Sequence, residues 1–171
     1  MQSWFVESKI LGLIRVSLDE NRIGFTRSGK SIEGAIVSLD MLVKGKPSVS
    51  MSRQAKTFNN QLAHYEAGDL DAFNNLSVAY QGSDFRRKVL HQMRQIPVGS
   101  VETYGGLASL SGNPKAFRAV ATVCATNLVP LVLPCHRVVP SDFSIGNYAS
   151  RKLKNGSNLK ELLLTHEDAL I

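Results

Sequence analysis

The chain of 171 residues is poor in cysteine and has no long apolar run, and each shortage excludes something. Two cysteines, Cys124 and Cys135, cannot build a disulfide scaffold. The most apolar stretch, Leu128 to Leu133, is too short to span a bilayer and is interrupted by Pro130. The first residues, Met1-Gln2-Ser3-Trp4-Phe5-Val6-Glu7, have no basic segment leading into an apolar one, so no signal peptide is expected. No internal repeat and no low-complexity segment is visible. Hydrophobic residues make up 43% of the chain, which argues against disorder. These features predict a soluble intracellular protein with reduced thiols, without a membrane partner. The length fits one domain or two small ones, with enough burial for a core that needs no staples.

The charge is uneven. The net charge is +6, of which residues 1–80 carry +1 and residues 81–171 carry +5. A basic second half is the footprint of a polyanionic partner, although a merely solvated basic surface reads the same way.

The two halves also differ in pattern, and a boundary near Gln81-Gly82-Ser83 divides the chain into domains 1–80 and 81–171. In the first, Trp4–Val6 and Leu11–Leu18 read as strands, and Asp19-Glu20-Asn21 reads as a hairpin turn before Ile23-Gly24-Phe25. Phe58, Leu62 and Tyr65 have helical spacing within Ala55–Ala67, and Gly68 follows as a stop. In the second, Ser83 or Asp84 caps a helix with Phe85, Val89, Met93 and Ile96 on one face, ended by Pro97. Thr103 caps a short helix over Tyr104–Leu110. After the turn Ser111-Gly112-Asn113, Pro114 stands at the first position of another helix. Two helices joined by a short Gly-containing turn fit a helix-turn-helix, whose second helix would present Lys115, Phe117 and Arg118. An ordinary helical hairpin gives the same pattern. Asn158 with Glu161 resembles a capping box for a last helix, with Leu159, Leu162, Leu163 and His166 on one face.

The chemistry concentrates at Pro134-Cys135-His136-Arg137. A thiol, an imidazole and a guanidinium sit together, and prolines at 130 and 134 stiffen the backbone that presents them. The thiolate is the nucleophile, and a nearby base or cation favours it. Adjacent residues of an extended chain point to opposite faces, so Cys135 and His136 communicate more readily through a water than directly. A base needs an orienting partner, and Glu167 is a candidate. A buried cysteine beside a solvent-facing histidine is the alternative. Cys124 lies on the apolar side of its helix and reads as core.

The runs Gly112-Asn113-Pro114-Lys115-Ala116-Phe117-Arg118-Ala119-Val120, Asn127, Pro134-Cys135-His136-Arg137-Val138-Val139 and Gly146-Asn147-Tyr148 resemble those of the O6-alkylguanine-DNA alkyltransferases. The resemblance runs from about Asp84 to Glu167. It implies an α+β fold: a small N-terminal mixed α/β domain of ribonuclease-H-like type, then a mostly helical, winged-helix-like domain with a helix-turn-helix. It also implies a suicide repair protein that extrudes an O6-alkylated guanine from duplex DNA and moves the alkyl group irreversibly to a cysteine. By the family's pattern Cys135 is the acceptor, His136 the water-mediated base and Glu167 its orienting group. Tyr104 would assist departure of the guanine, and Asn127 would hold the turn around Cys135. Arg118 would enter the duplex in place of the extruded base, flanked on the DNA by Lys115, Ala116 and Phe117, with the helix-turn-helix in the minor groove. Val138, Tyr148 and Ala149 would line the guanine pocket. Arg137 stays outside the catalytic set. The resemblance implies a monomer acting without cofactor on double-stranded DNA.

Departures from the pattern bear on that reading. Ala149 stands where a hydroxyl is usual, and the loop after Tyr148 is longer by several residues. Phe117 is larger than the small residue expected beside the arginine, which changes how deeply the helix enters the groove or adds a wedge. Arg151, Lys152 and Lys154 are extra cations that could meet phosphate. Some relatives hold zinc through cysteine and histidine in the N-terminal domain. Residues 1–80 here have no cysteine and only His64, so no metal is expected. Two other readings compete: a lesion sensor or helix-turn-helix regulator that binds without repairing, and a cysteine hydrolase built on Cys135 and His136.

Overall fold

A computed structural model describes residues 1–41, 43–48, 52–146 and 158–169. The chain is mixed α and β, with two compact units, Met1–Ala79 and Tyr80–Ile171. No helix among the described residues is long and apolar enough to cross a membrane.

In the first unit β1 (Gln2–Ser8), β2 (Gly12–Phe25) and β3 (Ser31–Met41) form an antiparallel meander in that order. Alternation along β2 buries Ile14, Val16 and Leu18, and Trp4 from β1 joins them. The helix α1 (Arg53–Glu66) lays Phe58, Leu62 and Tyr65 into the same core. Ser52 caps it, accepting from the Ala55 N–H. Gly68 then takes φ +99°, a left-handed conformation that a larger residue adopts at a cost.

One expectation fails here. Asp19-Glu20-Asn21 is no hairpin turn. Asp19 pairs with Ala35 and Ile23 with Glu33, so residues 20–22 bulge opposite Gly34 within one long strand. The Asp19 carboxylate accepts from the Asn21 N–H, so local turn chemistry is used up inside the bulge. The reversal comes later, over Thr26–Lys30, where Gly29 has φ +86°.

The second unit opens with α2 (Asp84–Gln95), capped by Ser83, with Val89, Leu90 and Met93 buried. Then come β4 (Glu102–Thr103), α3 (Tyr104–Leu110) and α4 (Phe117–Ala125). Thr103 caps α3 through the Gly106 N–H. The start of α4 lies three residues beyond the expected one. The Asn113 carbonyl accepts from the Ala116 N–H, which closes a turn around Pro114 and Lys115 before the helix can begin. Six residues therefore separate α3 from α4, not three.

A single 3-10 turn over Cys135–Arg137 leads into β5 (Val138–Val139), which runs parallel to β4. The last helix is α5 (Leu159–His166). Its inward face is Leu159, Lys160, Leu163 and Leu164, rotated by one residue from the expected face. Leu162 is left exposed.

Candidate active site

The segment 127–135 is organised by one side chain. Asn127 Oδ1 accepts from the Val129 N–H at 3.0 Å. Its Nδ2 donates to the Leu133 carbonyl at 2.7 Å and to Cys135 Sγ at 3.1 Å. The amide thus clamps both ends of a loop in which Leu131 takes φ +76°. The Leu133 carbonyl also accepts from the Cys135 N–H at 2.8 Å. These bonds hold Cys135, only 5% exposed and in no disulfide, at the start of the 3-10 turn. Arg86 secures the other side of Asn127. Its guanidinium donates to the Thr126 hydroxyl and carbonyl, both at 2.7 Å, at the C-terminal end of α4.

Behind the thiol lies a buried ionic cluster. His136 Nε2 meets Glu167 Oε1 at 2.9 Å. Arg137 grips the same carboxylate in a fork, Nε to Oε2 at 2.7 Å and Nη2 to Oε1 at 2.9 Å. Its Nη1 donates to the Ile96 carbonyl at 2.8 Å. His136 is wholly inaccessible and Glu167 nearly so. Burial alone would raise the Glu167 carboxyl, but His136 and Arg137 outweigh it and hold the group well below the usual carboxylate range. Burial pushes the His136 imidazole down, against the pull of Glu167, so the ring rests neutral. A carboxylate only accepts hydrogen bonds, so the proton of neutral His136 sits on Nε2. Nδ1 keeps its lone pair, and it is buried without a hydrogen-bond partner among the described residues. The arrangement can accept a proton at Nδ1 and stabilise the resulting imidazolium against Glu167.

Tyr104, first residue of α3, is half-buried and electrostatically coupled to the site. Burial, with Cys124 and Cys135 adding, pushes its hydroxyl up to about 12. It is therefore a hydrogen-bond donor at neutral pH. Cys124 is buried, and burial pushes its thiol up, reinforced by Cys135. Val138 is wholly buried, and its carbonyl accepts from Lys160 Nζ at 2.7 Å.

Lys160 was not legible as a site residue. Its ammonium is fully buried, and burial lowers it to about 8, against the pull of Cys124 and Cys135. The signal was spacing: Lys160 lies seven residues before Glu167, two turns of helix, and so shares its face.

Of the residues singled out from sequence, Cys135, Asn127, His136 and Glu167 converge by direct hydrogen bonds or chain adjacency, with Tyr104 and Val138 beside them. Lys115, Ala116, Phe117 and Arg118 stand apart, at the entrance to α4. Phe117 and Arg118 are exposed, with the guanidinium 5.8 Å from the ring centroid. Tyr148, Ala149, Arg151, Lys152 and Lys154 lie outside the described residues.

Residues 84–169 match the family model described as 6-O-methylguanine DNA methyltransferase, DNA binding domain. A probable methylated-DNA–protein-cysteine methyltransferase of Acanthamoeba polyphaga mimivirus is 34% identical over 139 residues, 81% of this chain and 82% of the relative. The methylated-DNA–protein-cysteine methyltransferase of Methanosarcina acetivorans is 38% identical over 109 residues, 64% of this chain and 66% of that one. In fold the chain is similar to the crystal structure of Mycobacterium tuberculosis O6-methylguanine methyltransferase, with a TM-score of 0.71 at 23% identity, covering 98% of this chain and 92% of the other. With half its length under the family model and a third of its matched residues shared with the viral relative, this chain belongs to the methylated-DNA–protein-cysteine methyltransferase family.

Proposed function

We propose that the chain repairs O6-alkylguanine in duplex DNA by direct reversal, moving the alkyl group once and irreversibly onto Cys135. The observation that carries this reading is the thiol held by Asn127 at 3.1 Å, one residue from a buried neutral imidazole whose free nitrogen can take a proton.

Cys135 loses its proton to His136 Nδ1 through a water, and Glu167 stabilises the imidazolium formed. The thiolate attacks the alkyl carbon in line. The S–C bond forms as the C–O6 bond breaks, and the electron pair leaves with the guanine. Tyr104 donates a hydrogen bond to the departing base as charge develops on it. Lys160 adds positive potential beside the thiolate and fixes the Val138 carbonyl, which lines the guanine pocket. Arg137 does none of this chemistry. It fixes the Glu167 carboxylate, and so positions His136.

Extrusion of the nucleotide costs a few kcal/mol of lost stacking and pairing. Arg118 fills the space left in the duplex, with Lys115, Ala116 and Phe117 against the minor groove. In this reading the second unit is a winged-helix-like domain whose helix-turn-helix is α3 and α4, and the first is a ribonuclease-H-like domain.

Methyl transfer from an O6-methylguanine duplex, counted per mole of protein, tests the reading. It predicts a plateau at one equivalent. A cysteine hydrolase would turn over, and a non-repairing sensor would bind the duplex without transfer.

A further inference from the structure

Two features at the start of α3 run against the preference of their own elements. Glu102 puts a carboxylate in β4, where its neighbours are Val101 in the chain and Val138 and Val139 across the ladder. Gly105 and Gly106 fill the second and third positions of a helix of only seven residues, and glycine is the poorest helix former after proline. Neither choice gains anything alone. Departures of this kind mark a constraint set elsewhere in the molecule.

Together they complete one structure. The Thr103 hydroxyl accepts from the Gly106 N–H at 2.9 Å, an ordinary N-cap bond. In a capping box, a Glu or Gln at the third helical position then reaches back to the N–H of the cap residue. That position is Gly106, which has no side chain to offer. Glu102 supplies the acceptor from the opposite side. Its Oε1 accepts from the Thr103 N–H at 2.7 Å and, more loosely, from the Thr103 hydroxyl at 3.4 Å. The carboxylate occupies the space that a Cβ at position 106 would take, so a larger residue there displaces it. Glu102 and Gly106 are two halves of one inverted capping box.

The cap decides where Tyr104 stands. Tyr104 is the first residue of α3 and follows Thr103 directly. The ladder pairs Thr103 with Val139, four residues after Cys135. The cap is thus the short link between Tyr104 and the strand that leads out of the Cys135–Arg137 turn. A helix this short, opening on two glycines, has little of its own to hold its first turn.

We propose that Glu102 is a positioning residue for alkyl transfer: by closing the Thr103 cap it fixes the first turn of α3, and with it the Tyr104 hydroxyl that meets the departing guanine. The proposal rests on the repair reading above and adds a residue to it. Glu102 acts only through Thr103 and Tyr104.

The test measures single-turnover methyl transfer from an O6-methylguanine duplex for wild type, Glu102→Val, Glu102→Gln, Gly106→Ala and Glu102→Val/Gly106→Gln. Beside it runs the alkylation of Cys135 by iodoacetamide, followed on the Cys135 peptide. That reaction has no guanine leaving group, so it reads the thiol without Tyr104. Glu102→Val is expected to transfer about tenfold more slowly, since a donor misplaced by about 1 Å can cost up to 10²-fold, while its iodoacetamide rate stays at the wild-type value. Glu102→Gln keeps an acceptor oxygen and should recover most of the rate. Gly106→Ala displaces the carboxylate but favours helix, so transfer should slow without a lower thermal midpoint. In the double variant the new amide restores an ordinary capping box, and transfer should return toward wild type. Transfer at the wild-type rate in Glu102→Val or in Gly106→Ala overturns the proposal. So does a double variant no faster than Glu102→Val, or a slowing matched by an equal slowing with iodoacetamide, which would make Glu102 a general structural residue. A wild type that transfers no methyl group defeats the repair reading itself.

Discussion

Replacing Glu167 by glutamine changes one oxygen to an amide nitrogen, yet it is expected to be among the most damaging substitutions in the protein. Three charge-assisted hydrogen bonds end on this carboxylate, from His136 at 2.9 Å and from Arg137 at 2.7 and 2.9 Å. Glutamine keeps one acceptor oxygen and turns an N–H₂ toward the guanidinium, donor against donor. It also leaves Arg137 charged and buried without a counter-ion. Breaking such a pair from one side costs about 3–5 kcal/mol. At about 2–4 °C per kcal/mol for a chain of this length, the thermal midpoint should fall by roughly 6–20 °C. A second substitution, Arg137→Met, removes the stranded charge. The double variant Glu167→Gln/Arg137→Met should therefore lose less than the sum of the two single losses, by about 1–3 kcal/mol of coupling. Circular dichroism during heating and urea titration reads all four proteins. A Glu167→Gln variant within about 1 kcal/mol of wild type would refute the reasoning, as would a double variant whose losses simply add.

Other outcomes follow from the same geometry. Asn127→Ala strips partners from the Leu133 carbonyl, the Val129 N–H and Cys135 Sγ, and at about 1–3 kcal/mol for each buried orphan it should destabilise the fold and slow transfer, read by urea titration and single-turnover kinetics. Acid should destabilise the protein in two stages: below about pH 6.5 the unfolded histidine takes up a proton that buried His136 resists, and below about pH 4.5 the unfolded carboxyl takes up one that Glu167 resists. A thermal midpoint that does not fall between pH 7 and pH 4 would contradict both shifts. The alkylated product should be less stable than the thiol by about 1–3 kcal/mol, since a methyl group is added to a buried, close-packed sulfur, and equal melting temperatures before and after reaction would count against it.

The acceptor and its neighbours were legible because their chemistry is local. Cys135 and His136 are adjacent, and Asn127 is eight residues from the thiol it touches. Glu167 is 31 residues from His136, and it was legible only through the need of a base for an orienting partner and through the family pattern, not through local spacing. Lys160 escaped because a lysine near a helix start normally reads as solvated surface. Its burial follows from the exact rotation of α5, which the Leu162 and His166 positions had suggested one residue out. In the first unit Asp19-Glu20-Asn21 has the composition of a reversal, but pairing of Ile23 with Glu33 carries the strand through it as a bulge. The turn chemistry is present but serves a bulge instead of a reversal, and the long-range pairing that decides this is not visible in the local sequence. The same holds before α4, where Pro114 fits a first helical position and is instead spent in a turn.

Peptide mass mapping after mixing the protein with duplex DNA containing O6-methylguanine tests the central claim most directly. The account predicts the mass of one added methyl group on the peptide containing Cys135 and no change on the peptide containing Cys124, saturating at one equivalent. A methyl group found on another residue, or none on a protein that still binds the lesion tightly, would contradict it.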